Sequence, residues 1–183
     1  MAELNIIPEC FIDTNLIETL VPTPQGYNHQ KGCNNVVGLM QKRMGDKFAL
    51  GIVDKDKRQV GYLNEFEEII HTESLFIYKH PSRPHFLILI SPAADGFILK
   101  CAAETGINVT DFGLPGELKK FTSFTKQVTS KEDANFKHLF QSIKAARELK
   151  ILKGWVKYLK DNTYGSKPEE LKRIVEENCC DGD

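Results

Sequence analysis

The chain has 183 residues, 24 Lys plus Arg against 25 Asp plus Glu, and 41% hydrophobic residues, the balance of a soluble globular protein with one full core. No stretch approaches the roughly 20 consecutive apolar residues of a bilayer span, and the opening MAELNIIPEC has neither the basic nor the apolar region of an export signal. No membrane partner is therefore expected, and the cytoplasm is the expected compartment; the five cysteines (Cys10, Cys33, Cys101, Cys179, Cys180), odd in number and without CxxC spacing, suggest neither a disulfide framework nor a zinc site.

Leu4 to Ile7 is a short apolar run, extended beyond Pro8 by Cys10, Phe11 and Ile12. A proline removes a ladder donor and sits poorly in a central strand. Asp13 or Thr14 is placed to cap a short helix carrying Leu16, Ile17 and Leu20 and ended by Pro22. Val21 to Gly32 reads as loop, and Asn34 to Met44 as a helix with Val36, Val37, Met40 and Met44 at helical spacing. Phe48 to Val53 is the clearest buried strand, a continuous apolar run broken only by Gly51 and followed at once by Asp54, Lys55, Asp56, Lys57 and Arg58. Leu75 to Tyr78 and Phe86 to Ile90 give two more strands, with the turn HisProSerArgPro between them. Ser91 and Pro92 then supply an N-cap and an N1 proline for a helix with Phe97, Ile98, Cys101 and Ala102, closed by Gly106.

After Lys119 the pattern turns helical. Phe136, Leu139, Phe140 and Ile143 mark one amphipathic helix, Leu149 to Leu159 a second, and Ser166 opens a third with a capping-box pattern before Leu171 and Ile174. The spacing predicts an α/β domain over residues 1–118, with a mostly parallel central sheet flanked by helices, and a basic helical extension over 119–183 packed on it. Between Lys119 and Lys160 stand 11 Lys plus Arg and 3 acids, leaving 13 bases and 22 acids elsewhere. Such segregation suits a polyanion on the basic part and a metal on the acidic part, and equally suits solvated helix faces.

The sharpest chemical feature is Asp54-Lys55-Asp56 at the end of the apolar strand. Residues two apart in an extended chain project to one side, so both carboxylates can face one point while Lys55 faces away. Hard oxygen ligands at the carboxyl end of a buried strand suit Mg2+ (or Mn2+), where open α/β sheets place their ligands. Glu9 and Asp13 follow the first apolar run and precede a helix, giving GluXaaXaaXaaAsp some 45 residues before the AspXaaAsp pair. This arrangement resembles the Toprim domain of primases, topoisomerases, nucleases and small RNA maturases. The resemblance implies that Glu9, Asp54 and Asp56 are catalytic metal ligands, that Asp13 is a supporting acid, and that phosphodiesters of nucleic acid are the substrate. Lys57 and Arg58 beyond the pair, with His29 and Lys31 in the loop before the second helix, are candidates to hold phosphate oxygens, His29 also to shuttle a proton.

The segment from Phe11 to Ile17, with Asp13-Thr14-Asn15, is also similar to the opening of PIN-type ribonucleases, with Asp95 and Asp111 as later acids. That family too uses Mg2+ on phosphodiesters, but expects mainly helix where Phe48 to Asp56 reads as strand. Neither a phosphate-cradling GlyXaaXaaXaaXaaGlyLys loop nor a GlyXaaGlyXaaXaaGly turn occurs. The expected function is Mg2+-dependent phosphodiester hydrolysis or a related phosphoryl transfer on nucleic acid. The alternative is a non-catalytic Toprim-like scaffold binding nucleic acid or a protein partner.

Overall fold

The structure, a computed structural model, describes residues 4–55 and 61–179. Asp56, Lys57 and Arg58 lie outside the described residues. Strands β1 (Ile6–Pro8), β2 (Ala49–Asp54), β3 (Glu67–His71), β4 (Leu75–Lys79) and β5 (His85–Ile90) form a sheet in the order β1-β2-β5-β4-β3. β1, β2 and β5 run parallel, and β4 and β3 are antiparallel to their neighbours. The sheet is thus mixed, parallel through β1, β2 and β5 and antiparallel through β4 and β3. The cause is the short link between β4 and β5, long enough for a hairpin turn but far too short for a crossover helix.

Pro8 is accommodated because β1 is the edge strand of this sheet; its carbonyl accepts from the Gln30 amide (3.0 Å), so the loop before the second helix covers that edge. β3, which the hydrophobic pattern does not reveal, is the opposite edge, with Glu67, Glu68 and His71 exposed.

Side chains alternate across the sheet. Leu50, Ile52, Phe86, Ile88 and Ile90 enter the larger core, and Ala49, Val53, Leu87 and Leu89 the smaller one on the opposite face. The smaller face is covered by α2 (Cys33–Leu39), its π-helical continuation Met40–Met44, and the 3-10 turn Gly61–Glu65. Gly51 faces α2: a Cβ there would lie 2.8 Å from Met40 Sδ, 2.9 Å from Leu87 Cδ1 and 3.1 Å from Val36 Cγ1, so the missing side chain sets how closely the helix approaches.

The larger face is covered by α1 (Phe11–Leu20), α3 (Ala94–Glu104), α4 (Leu118–Thr125), α5 (Ala134–Ser142), α6 (Arg147–Asn162) and α7 (Pro168–Cys179). Phe121, Phe136, Leu139, Trp155 and Leu171 belong to the same apolar cluster as the strand residues, so the helices after Lys119 share the core of the sheet. Trp155 is fully buried and donates from Nε1 to the Leu171 carbonyl (2.9 Å), which makes it a core residue.

Three helix starts differ from expectation. The N-cap of α1 is Cys10, whose Sγ accepts from the Asp13 amide (3.4 Å) while Asp13 Oδ2 accepts from the Cys10 amide (3.2 Å); Asp13 is the N3 member of this capping box and not its cap. α3 begins at Ala94, beyond Ser91 and Pro92, and its first amide donates to Asp54 Oδ1 from a neighbouring strand (3.0 Å). α7 starts on Pro168, and Ser166 Oγ makes no hydrogen bond among the described residues, so the expected capping box does not form. No helix of the described residues is long and apolar enough to cross a membrane.

Candidate functional site

The parallel strands β1, β2 and β5 deliver their carboxyl ends to one edge of the sheet, and a cleft of about 320 Å³ opens there. Its wall includes Glu9, His29, Lys31, Asp54, Asp95 and Lys126. Glu9 directly follows β1, and its amide continues the parallel ladder by donating to the Ile52 carbonyl (2.9 Å). Its side chain is fully buried, and Oε2 accepts from the Asp54 amide across 45 residues of sequence (3.0 Å). Asp54 in turn accepts from Ala94 at the start of α3. Two carboxylates therefore link the ends of β1 and β2 and the start of α3, each accepting from a backbone amide. An acceptor at a helix N-terminus also meets the positive end of the helix dipole.

Lys55 behaves as strand alternation requires: its Nζ lies 3.1 Å from the centre of the Phe76 ring, on the face of the smaller core and not in the cleft. The structure thus brings Glu9 and Asp54 together, and leaves the Asp54/Asp56 pairing outside the described residues. Asp13 is buried beside the cleft but is engaged in the α1 capping box and does not line the wall. Asp111 is exposed in the 3-10 turn Val109–Phe112, so Asp13, Asp95 and Asp111 do not share this cleft.

His29 is held on two sides. Its ring stacks on Phe11, with centroids 4.5 Å apart, and Nδ1 lies 3.0 Å from Thr14 Oγ1. The Thr14 hydroxyl also lies 2.8 Å from the Cys10 carbonyl; with its hydrogen on that carbonyl, Nδ1–H donates to Thr14. Neutral His29 then carries its lone pair on Nε2. Burial, followed by the nearby Lys131 cation, pushes the His29 pKa below its ordinary value and keeps the ring neutral at pH 7. Cys10, also on the wall, has its thiol pushed well up by burial and then by Asp13, so it is an inert thiol rather than a nucleophile.

The far wall comes from a part of the chain with no recognisable motif. Thr125 donates to Asp95 Oδ1 (2.5 Å), which fixes the end of α4 against the start of α3 and brings Lys126 to the rim. Lys31 reaches the rim from the opposite side, exposed in the loop before α2. Carboxylates on the floor and cations on the rim thus bring both signs of charge into one cleft. Sequence spacing pointed to Glu9, Asp54, His29 and Lys31; nothing in it placed Thr125 or Lys126 here, because their approach is set by the packing of α4 on α3.

No family model matches the chain, and no curated protein or solved structure matches it either.

Proposed function

We propose that this cleft performs metal-dependent phosphodiester hydrolysis, or a related phosphoryl transfer, on nucleic acid, in a Toprim-like arrangement. The observation that carries the reading is the meeting of Glu9 and Asp54 at the carboxyl ends of adjacent parallel strands, with Glu9 Oε2 on the Asp54 amide. Both are hard oxygen donors, the class that Mg2+ or Mn2+ takes, one or two carboxylates being enough when water and phosphate oxygens complete the shell. Glu9 and Asp54 would hold the ion, with Asp56 two residues further along the chain. When bound, the ion offsets phosphate charge and lowers the pKa of a coordinated water. The chain's own groups supply the remainder. His29 offers an unprotonated Nε2 to take the proton of the attacking water, while Lys31 and Lys126 meet phosphate oxygens at the rim.

Thermal denaturation tests the metal. At tenfold over its dissociation constant, Mg2+ or Mn2+ should raise the Tm by about 3 to 6 °C, and the rise should vanish in Glu9→Gln and Asp54→Asn. Both amide replacements keep an oxygen that can accept from the Asp54 and Ala94 amides, so the fold is retained. The same variants should lose metal-dependent cleavage of a panel of single-stranded and structured RNA and DNA.

A second reading, a scaffold without chemistry that binds nucleic acid or a protein, has its own support. Glu9, Asp13 and Asp54 each hold a backbone amide, and no group of three His, Cys, Asp or Glu side chains among the described residues is close enough to hold an ion. A wild type that shows neither a Tm shift at millimolar metal nor cleavage selects that reading.

A further inference from the structure

We propose that the outer surface of residues 118–131 is a docking surface for an extended single strand of nucleic acid, leading it into the cleft. The proposal rests on the nucleic-acid reading of that cleft, but concerns a surface formed by a different segment.

α4 turns Phe121 and Thr125 inward, which leaves Leu118 53% and Phe124 41% exposed, followed by Val128 at 70%. These are three of the five exposed large hydrophobic residues among the described residues; Leu4 and Tyr164 are the others. The same fourteen residues carry Lys119, Lys120, Lys126 and Lys131 and no acid. Lys120 pairs with Glu117 (3.1 Å), whereas Lys119, Lys126 and Lys131 make no ion pair among the described residues. Exposed apolar groups interleaved with unpaired cations match a strand whose base faces stack while its phosphates meet lysines. A duplex offers phosphates but keeps its base faces stacked inside, so it leaves Phe124 and Val128 without a partner.

The surface is fixed to the cleft by buried polar contacts. Asn15 in α1 donates from Nδ2 to the Ser130 carbonyl (2.7 Å) and the Asp133 carbonyl (3.2 Å). Ser130 Oγ donates to the Thr125 carbonyl (2.7 Å), and Thr125 holds Asp95 on the cleft wall. Lys126 belongs both to this surface and to the cleft rim. A strand lying along Phe124 and Lys126 is thereby directed at Glu9 and Asp54.

Fluorescence anisotropy of the whole protein with a fluorescein-labelled twelve-residue oligothymidylate, in EDTA so that nothing is cut, tests this. The wild type should bind the single strand and prefer it to a twelve-base-pair duplex. Phe124→Ala should weaken binding roughly tenfold. Joint Lys119→Gln, Lys126→Gln and Lys131→Gln should weaken it further and flatten the dependence of log affinity on log salt by about 2. Joint Lys144→Gln and Lys153→Gln, which lie on a different groove, should change neither by more than about twofold. All these positions are at the surface, and an unchanged Tm for each variant confirms folding. The proposal is overturned by absence of single-strand binding, by equal or better duplex binding, by indifference to the Lys119/Lys126/Lys131 set, or by full competition from anionic phosphatidylglycerol vesicles. Strand binding that survives Glu9→Gln and fails in the Lys119/Lys126/Lys131 set supports the surface even if cleavage is never seen. Metal-dependent cleavage that is undiminished in that set and in Phe124→Ala keeps the hydrolysis reading and removes this one.

Discussion

Asp13, Thr14 and Asn15 are consecutive in the chain and face three different tasks: Asp13 closes the α1 capping box, Thr14 holds the His29 ring through Nδ1, and Asn15 ties α1 to the segment before α5. The run of polar residues in that short helix therefore secures the helix itself on one side and reaches His29 on the other. Replacing His29 by Gln retains a donor for Thr14 but removes the basic nitrogen. Cleavage should fall by about 10² to 10⁴ in kcat, the size of a lost general base, with the metal-induced Tm shift intact; an unchanged kcat would show that Nε2 takes no part. A second histidine gives a stability signature. His85 is buried, its Nδ1 2.7 Å from the Tyr62 hydroxyl and its Nε2 3.1 Å from the Lys47 carbonyl, and burial pulls its pKa down to about 4. In the unfolded chain this group protonates near its ordinary value of about 6.5. Below that pH the unfolded state binds the extra proton, so stability present at neutral pH is lost as the pH falls from about 6.5 toward 4, by up to about 1.4 kcal/mol per pH unit. Denaturant titrations at pH 7, 6 and 5 should show that slope, and His85→Gln, although less stable at pH 7, should flatten it.

At the scale of elements, the cleft exists because strands that end in charged residues run parallel. Glu9 directly follows β1 and Asp54 ends β2, and the register Pro8↔Ile52 brings those two residues together at one edge. Asp54 then does for α3 what a local N-cap would have done, which is why Ser91 does not cap it. α2 reaches the other face of the same strands only because position 51 is glycine. Gly51→Ala forces Met40, Leu87 and Val36 to move, and overpacking of this kind should cost about 1 to 3 kcal/mol, measured as a lower urea midpoint with unchanged slope. Should that midpoint stay within error of wild type, the close approach of α2 is not what the glycine provides. The hairpin from β4 to β5 was readable from its proline-rich turn, whereas β3 was not, because an edge strand with Glu67, Glu68 and His71 exposed shows no apolar alternation.

Over the whole molecule, the charge segregation along the chain becomes a spatial one at a single place. The acid-poor stretch from Leu118 to Lys131 folds against α1 and α3, so Lys126 stands at the rim of the cleft that holds Glu9 and Asp54. The basic residues further on, around Trp155 and Tyr158, serve a different purpose: the aromatic ring is core, and the lysines of α6 surround it at the surface. Local order alone settled the α/β class, the buried β2 run, the helical second half and the acids that follow two strands, since each of these depends on periodicity or on residues a few positions apart. The cap of α3 by Asp54, the meeting of Thr14 with His29 and the presence of Lys126 at the cleft were decided only by tertiary structure, because each depends on groups 15 or more residues apart whose meeting is set by burial of a shared core rather than by any neighbour in the chain.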